Sequence, residues 1–214
     1  MTTKLRDTNL SDFKIGPVQK NNYGGNFFPI IQTDGKHPRV QLSDTPVRIP
    51  FTPSAFQGQE NSRMNLDLSL KDEDTISWFR ELDRMVLDWA IKNSEALFPR
   101  RRMSVQQIQD AYCPLLQQKS DFDPLLRTKI NNTALVFRMD EAGPPRKGTV
   151  ADITAGSTCI PVISFDKIWT MSTNRFGLTA VTSALCLWQR RDKEINEVFP
   201  FLNVFDNPVI NVVA

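Results

Sequence analysis

Cationic and aromatic side chains stand side by side at four places in this sequence. Each place has a Lys or Arg within a few residues of an aromatic ring, and the sets are Arg48 with Phe51, Arg138 with Phe137, Lys167 with Phe165 and Trp169, and Arg175 with Phe176. Unpaired bases stack on flat side chains for about 1–3 kcal/mol per base, while nearby cations hold the phosphates. In a duplex the base faces are hidden. The pattern therefore predicts a surface for single-stranded nucleic acid.

The alternation of side chains along strands selects further residues for this surface. In an extended strand Lys167 shares a face with Trp169, and Arg127 shares a face with Lys129. A proline-stiffened loop at residues 143–149 adds two more cations. The predicted contacts to single-stranded DNA are Arg48, Phe51, Arg127, Lys129, Arg138, Arg146, Lys147, Lys167, Trp169, Arg175 and Phe176. Of these, Phe51, Trp169 and Phe176 are predicted to stack on bases.

Residue types and motifs that commonly act in catalysis are scarce in this sequence. His37 is the one histidine, so a His-based general base, triad or metal cluster has a single candidate. The loop at residues 143–149 has the glycine spacing of a phosphate loop, but its lysine is misplaced and two prolines remove amide donors. Acidic residues at 72–74 suit the start of a helix, where negative charge is favoured. We expect no catalytic residue, no metal and no cofactor.

The periodicity of apolar residues predicts strands around one long helical segment. Short runs bounded by turn residues predict strands at 27–32, 39–42 and 47–51, and strict alternation predicts one at 63–70. Apolar residues then recur every three or four positions from Asp74 to about Leu97, and a shorter helix is predicted at 104–112. Strands follow at 125–130, 134–139, 158–165, 167–172 and 176–188. The expected fold is α+β, an OB-like β-barrel with a helical insertion at about 73–112 and terminal extensions.

The two ends of the chain differ in composition from the middle. Residues 1–24 are mostly polar and rich in turn formers, which predicts a flexible N-terminal arm before an OB-like domain at residues 25–191. Residues 192–214 form an apolar, slightly acidic tail. Residues 195–214 either pack on their own domain as a final strand or add to a neighbouring subunit or partner, which would support self-association.

Charge and cysteine content restrict the class of protein further. From Glu194 onward there are three acidic residues and no basic one, so removing them from the overall charge of +2 leaves about +5 on the rest. Three cysteines without close spacing predict free thiols. No apolar run approaches a membrane span and the start lacks a secretory pattern, so we expect an intracellular protein without membrane contact.

Scattered segments of the sequence, in a consistent order, resemble one known family. They are residues 40–46, 49–51, 65–70, Phe79, Leu82-Asp83, Asn93-Ser94, 112–115, 126–130, Ile168-Trp169 and 176–179. In these segments the sequence resembles the single-stranded DNA-binding proteins of large nucleocytoplasmic DNA viruses, of the poxvirus and African swine fever virus types. The resemblance implies an OB-type core, sequence-tolerant binding of single-stranded DNA, and a role in viral DNA replication, recombination or repair at replication sites in infected cells.

Other functions remain compatible with the same pattern of strands. A structural or scaffold protein that assembles through its tail would not bind nucleic acid at all. A metal-dependent nuclease would use the acidic clusters at 72–74 and 121–123. RNA is also an alternative ligand, because stacking and phosphate contacts serve both kinds of strand unless a 2′-hydroxyl is recognised.

Overall fold

The most extensive strand pairing in the sheet joins two long antiparallel strands. In the computed structural model, residues 2–21, 25–42, 44, 46–55, 63–99, 101–118, 121–139 and 144–189 are described. Their strands are β1 (Thr3–Lys4), β2 (Lys14–Ile15), β3 (Gln19–Lys20), β4 (Asn26–Ile31), β5 (Arg39–Gln41), β6 (Val47–Arg48), β7 (Ser54–Ala55), β8 (Met64–Ser69), β9 (Tyr112–Cys113), β10 (Leu116–Gln117), β11 (Leu125–Ile130), β12 (Leu135–Arg138), β13 (Arg146–Gly148), β14 (Thr158–Thr170) and β15 (Phe176–Trp188). Their α-helices are α1 (Glu73–Lys92), α2 (Ser94–Leu97) and α3 (Val105–Ala111).

Five of these strands close into a barrel. β14 pairs antiparallel with β15, β15 pairs parallel with β11, β11 pairs antiparallel with β8, and β6 joins β8 back to β14. Numbered along the chain, the barrel strands therefore follow each other as first, second, third, fifth and fourth. The helices are inserted between the second and third of them. This arrangement is a five-stranded OB-type barrel, and it confirms the predicted α+β fold.

The barrel interior follows the alternation of the strands. Leu66 and Leu68 on β8 are fully buried, as are Leu126 and Ile130 on β11. The residues that alternate with this inward face, Asp67 on β8 and Arg127 and Lys129 on β11, point outward. The predicted strands at 158–165 and 167–172 prove to be the single strand β14, which has a register irregularity between Phe165 and Lys167.

Helix α1 closes one side of the barrel through an apolar stripe. Phe79, Leu82, Val86 and Ala90 are fully buried on this stripe. The helix begins after Asp72, whose carboxylate accepts hydrogen bonds from the backbone N–H and the hydroxyl of Thr75 at 2.8 and 2.6 Å. The predicted helix to Leu97 is divided into α1 and α2 at Asn93. No helix in the described part of the chain is both long and apolar enough to cross a membrane.

Residues 2–21 are packed against the barrel, which corrects the prediction of a flexible arm over residues 1–24. Leu5 and Phe13 are buried in the main core, and Phe13 contacts the rings of Trp78 and Phe165 at centroid distances of 6.2 and 5.7 Å. β1 also pairs with β5, and β2 and β3 pair with β4. Two apolar side chains and three strand pairings thus hold a segment whose polar composition alone indicated a loose arm. The predicted tail at 192–214 lies outside the described residues.

Candidate functional site

A groove of about 570 Å³ crosses the outer face of the barrel. Its floor is formed by β11 and β15, which pair side by side at Lys129 and Val181. One end is bordered by Trp169 of β14 and by Met171, which follows this strand, and one side is bordered by residues 113–117. Its cationic lining residues are Arg63, Arg127, Lys129 and Arg175, and no aspartate or glutamate is among the lining residues of this described groove. The charged lining of the groove is therefore positive.

Arg127 is held in one orientation by a carboxylate on the neighbouring strand. Asp67 accepts two hydrogen bonds from its guanidinium, at 2.9 Å from Nε and 3.2 Å from Nη2. This pairing raises the pKa of Arg127, so the side chain is charged at every physiological pH. A guanidinium has five N–H donors, and three of them are not used by Asp67. Arg127 is thus positioned in advance for a second acceptor.

Lys129 lies two residues further along β11 on the same face. Its ammonium donates to Oδ1 of Asn65 at 2.5 Å, and the side chain is partly buried. Burial lowers the pKa of Lys129, and the nearby positive charges of Arg127 and Arg63 lower it further. An anion in the groove would relieve this repulsion. The local electrostatics therefore favour a negatively charged ligand.

Trp169 lies against a glycine in the adjacent strand. A Cβ at Gly177 would lie 2.9 Å from Cζ2 of the indole and 2.7 Å from the carbonyl oxygen of Cys113, so only glycine allows this close approach. Arg175, in the turn that joins β14 to β15, donates from Nε to Sγ of Cys113 at 3.2 Å. The indole and the guanidinium therefore lie at the same end of the groove.

The wall at residues 113–117 is anchored by a buried carboxylate. Asp83 on α1 accepts hydrogen bonds from the Tyr112 hydroxyl and from the backbone N–H groups of Leu115 and Leu116, the last two at 3.1 and 3.3 Å. Burial raises the pKa of Asp83 above its ordinary value, against the opposing effect of these three hydrogen bonds. Burial also raises the pKa of Tyr112. Asp83 thus connects the helical insertion to the groove.

The structure brings together four of the predicted contact residues. Arg127, Lys129, Trp169 and Arg175 all line the groove. Lys167 lies on the same strand as Trp169 but outside the groove lining, with its ammonium 4.7 Å from the ring centroid of Phe27 and 3.8 Å from Asp166.

Phe176 was predicted to stack on bases, and this prediction is wrong. Its side chain is 0% exposed and packs against the rings of Phe98 and Tyr112, with centroids 5.8 and 5.2 Å away. As the first residue of β15, Phe176 points into the core, whereas Arg175 before it lies in the exposed turn. The sequence neighbours therefore face different environments.

Five other predicted contacts lie away from the groove. Arg48 is on β6 opposite Thr158, and Phe51, which follows β6, is 59% exposed. Arg138 is 3.5 Å from Asp152, while Arg146 and Lys147 lie exposed on β13. None of these five lines the groove. Their contribution to ligand binding remains a prediction.

Two groove features were missed at the level of sequence. Arg63 shares its outward face with Asn65 and Asp67 in the alternating segment, so strand periodicity could have identified it. Asp83 falls on the apolar stripe of α1 between Phe79 and Val86, and a charge on such a stripe signals a buried partner. Among the described residues, no group of three or more His, Cys, Asp or Glu side chains could hold a metal ion.

Comparison with known proteins gives similarity to solved structures only. No family model matches the chain, and a search of curated proteins also finds no match. The chain is similar to the single-stranded DNA-binding protein of bacteriophage Enc34 in complex with single-stranded DNA, at 13% identity and a TM-score of 0.44, covering 85% of this chain and 97% of that chain. It is also similar to gp2.5, a single-stranded DNA-binding protein encoded by bacteriophage T7, at 12% identity and a TM-score of 0.47, covering 71% and 93%. The resemblance to proteins of large nucleocytoplasmic DNA viruses remains a prediction.

Proposed function

We propose that this protein binds single-stranded DNA without sequence preference, in the groove between β11, β15 and the 113–117 wall. The observation that carries the proposal is the lining of that groove, with Arg63, Arg127, Lys129 and Arg175 as cations and no carboxylate. A phosphodiester backbone is the polyanion that such a row of cations fits.

Trp169 supplies the second element of recognition. Its indole is partly exposed at the end of the groove, next to the exposed side chain of Met171. A base that is free of a partner strand can stack on the indole while its phosphate reaches Arg175. Bases in a duplex are already stacked and paired, so the same contacts favour single strands. Stacking does not distinguish one base from another, which makes binding tolerant of sequence.

The protein is proposed to act by coating and protecting the strand rather than by catalysis. The resemblance of its segments between Val40 and Thr179 to viral proteins supports a role in viral DNA replication, recombination or repair, at replication sites in infected cells. Self-association through residues 195–214 is part of this proposal and would make binding cooperative. A scaffold function without nucleic acid gives no reason for a groove in which every charged lining residue is a cation.

The proposal is tested by fluorescence anisotropy of labelled oligo-dT titrated across a salt series, beside duplex DNA and oligo-rU of equal length. We expect tight binding to oligo-dT and weak binding to the duplex. The log-log salt dependence is expected to have a slope of about −0.7 per phosphate contact. Equal or tighter binding of oligo-rU would make RNA the ligand. A folded protein that binds none of the three at low salt would leave the scaffold function instead.

A matched pair of charge variants separates the groove from general electrostatic attraction. Lys129→Glu/Arg175→Glu reverses two groove charges, and Lys71→Glu/Arg84→Glu reverses two exposed charges elsewhere. Both variants change the net charge equally. We expect the groove variant to lose oligo-dT binding and the control to bind far more tightly than the groove variant. Equal loss in both would contradict the assignment of the groove as the binding site.

A further inference from the structure

A second depression, of about 470 Å³, adjoins the groove on the outer face of the barrel. Its lining residues include Lys36 and His37 before β5, Arg39 at the start of β5, and Arg63, Asp166 and Val181. Arg63 also lines the groove, so one side chain borders both sites.

The floor of the groove continues directly into this depression along β15. Residues Leu178, Thr179 and Ala180 belong to the groove, and the next residue, Val181, belongs to the depression. Val181 is also the residue that pairs with Lys129 of the groove. A ligand that leaves the groove past Lys129 therefore enters the depression without crossing another element.

The charge of the depression is mainly positive. Its one carboxylate, Asp166, is already shared by three basic side chains, at 3.5 Å from His37, 3.9 Å from Arg63 and 3.8 Å from Lys167. By contrast, Lys36 and Arg39 have no carboxylate of the described residues within 4.0 Å. The Arg39 guanidinium donates to the hydroxyl of Ser183 at 3.1 Å, which holds it over the depression.

No aromatic ring other than the His37 imidazole is among the lining residues of the depression. It therefore lacks the stacking surface that Trp169 gives to the groove. We propose that a DNA strand bound in the groove continues across this depression, where Lys36 and Arg39 bind its phosphates without contacting bases. The proposal rests on the function proposed above, and it divides one binding path into a part that stacks bases and a part that binds backbone only.

Oligonucleotide length distinguishes the two parts of the path. An oligo-dT of about 5 nucleotides can be held by the groove alone, whereas one of about 20 nucleotides is long enough for both sites. In the variant Lys36→Ala/Arg39→Ala, we expect several-fold weaker binding of the long oligonucleotide. Its log-log salt slope should also be shallower by about 1.4, corresponding to two lost phosphate contacts. Binding of the short oligonucleotide should be unchanged.

The control variant is Lys71→Ala/Arg84→Ala, which removes the same two residue types at exposed positions outside both sites. It should bind the long oligonucleotide more tightly than Lys36→Ala/Arg39→Ala, with circular dichroism confirming that both variants are folded. The proposed path is overturned if the Lys36→Ala/Arg39→Ala variant binds the long oligonucleotide like the control, or if it loses short and long binding equally. Absence of binding to either length by the wild-type protein would overturn the proposed function itself.

Discussion

The pair formed by β14 and β15 builds two outer surfaces of opposite character. Towards the start of β15, Thr179 lies in the groove among the cations of the candidate site. Towards its end the outward residues of β15 are Ala184, Cys186 and Trp188. Their apolar neighbours on the adjoining strands are Leu135, Phe137, Ile160 and Val162. In this second region, called the apolar face below, Leu135 is 53% exposed and Phe137 38% exposed.

A β-bulge separates the groove from the apolar face. Val162 pairs with Ala184 but the next residue, Ile163, pairs with Thr182, so Ser183 is an extra residue in β15. The extra residue reverses which positions of β15 point outward. Both regions contain aromatic rings, Trp169 in the groove and Phe137 and Trp188 on the apolar face. Aromatic content therefore does not distinguish them. Four cations line the groove, whereas the apolar face is bordered on β13 by Lys147, which pairs with Phe137.

The largest expected effect comes from removing the anchor of the groove wall. Asp83→Ala leaves the Tyr112 hydroxyl and the backbone N–H groups of Leu115 and Leu116 without their acceptor. Losing the partner of buried donors costs about 3 kcal/mol in the free energy of unfolding. Urea denaturation would measure this, and oligo-dT affinity should fall as well because the wall is displaced. Asp88→Ala, an exposed position on the same helix, is the control and should change stability by less than about 0.5 kcal/mol.

Replacing one tryptophan in each region sharpens the comparison. Trp169→Ala should weaken oligo-dT binding by about 1–3 kcal/mol, since it removes a stacking surface, and Trp169→Phe should restore part of the loss. Trp188→Ala on the apolar face should leave the affinity of the folded protein unchanged. Anisotropy gives the affinities and urea denaturation shows whether each variant is folded. An equal loss of affinity in the two alanine variants would break the distinction between the regions.

Much of the barrel could be predicted from the sequence, because strand and helix periodicities directly reflect burial. The alternation at residues 63–70 and the apolar stripe from Phe79 to Ala90 are both observed. The packing of residues 2–21 could not be predicted, because two buried side chains, Leu5 and Phe13, give no periodic pattern. The bulge at Ser183 was also missed, since one extra residue in a strand has no compositional signal.

The candidate site was predicted only in part, for a geometric reason. Adjacent residues of a strand point to opposite faces, so a cation next to an aromatic residue in sequence does not share a ligand with it. Arg138 shows this, because it reaches Asp152 while the adjacent Phe137 lies on the apolar face. Residues that line the groove together, such as Lys129 and Trp169, come from strands that are distant in sequence.

The pH dependence of binding should identify Lys129 as a phosphate contact. Its pKa is lowered below the ordinary 10.5 in the free protein, and a bound phosphate raises it again. The contribution of Lys129 is therefore complete below the pKa of the free protein and is lost as the pH rises through that pKa towards the value in the complex. Lys129→Arg should flatten the fall in affinity that the wild-type protein shows as the pH rises towards the ordinary lysine pKa of 10.5, because arginine stays charged. Lys71→Arg should retain the wild-type profile.

The smallest effect is expected on the apolar face. Leu135→Ser/Phe137→Ser removes two exposed apolar side chains from this face, where no cation is among the outward residues of β15 after the bulge. Oligo-dT affinity should stay within about twofold of wild type, because neither side chain lines the groove. Folding stability should change by less than about 0.5 kcal/mol per substitution, as is usual at the surface. Binding is measured at low salt, where weak phosphate contacts are strongest. A loss of affinity as large as that of Trp169→Ala would show that bases stack on the apolar face. The row of cations would then not identify the binding surface of this barrel.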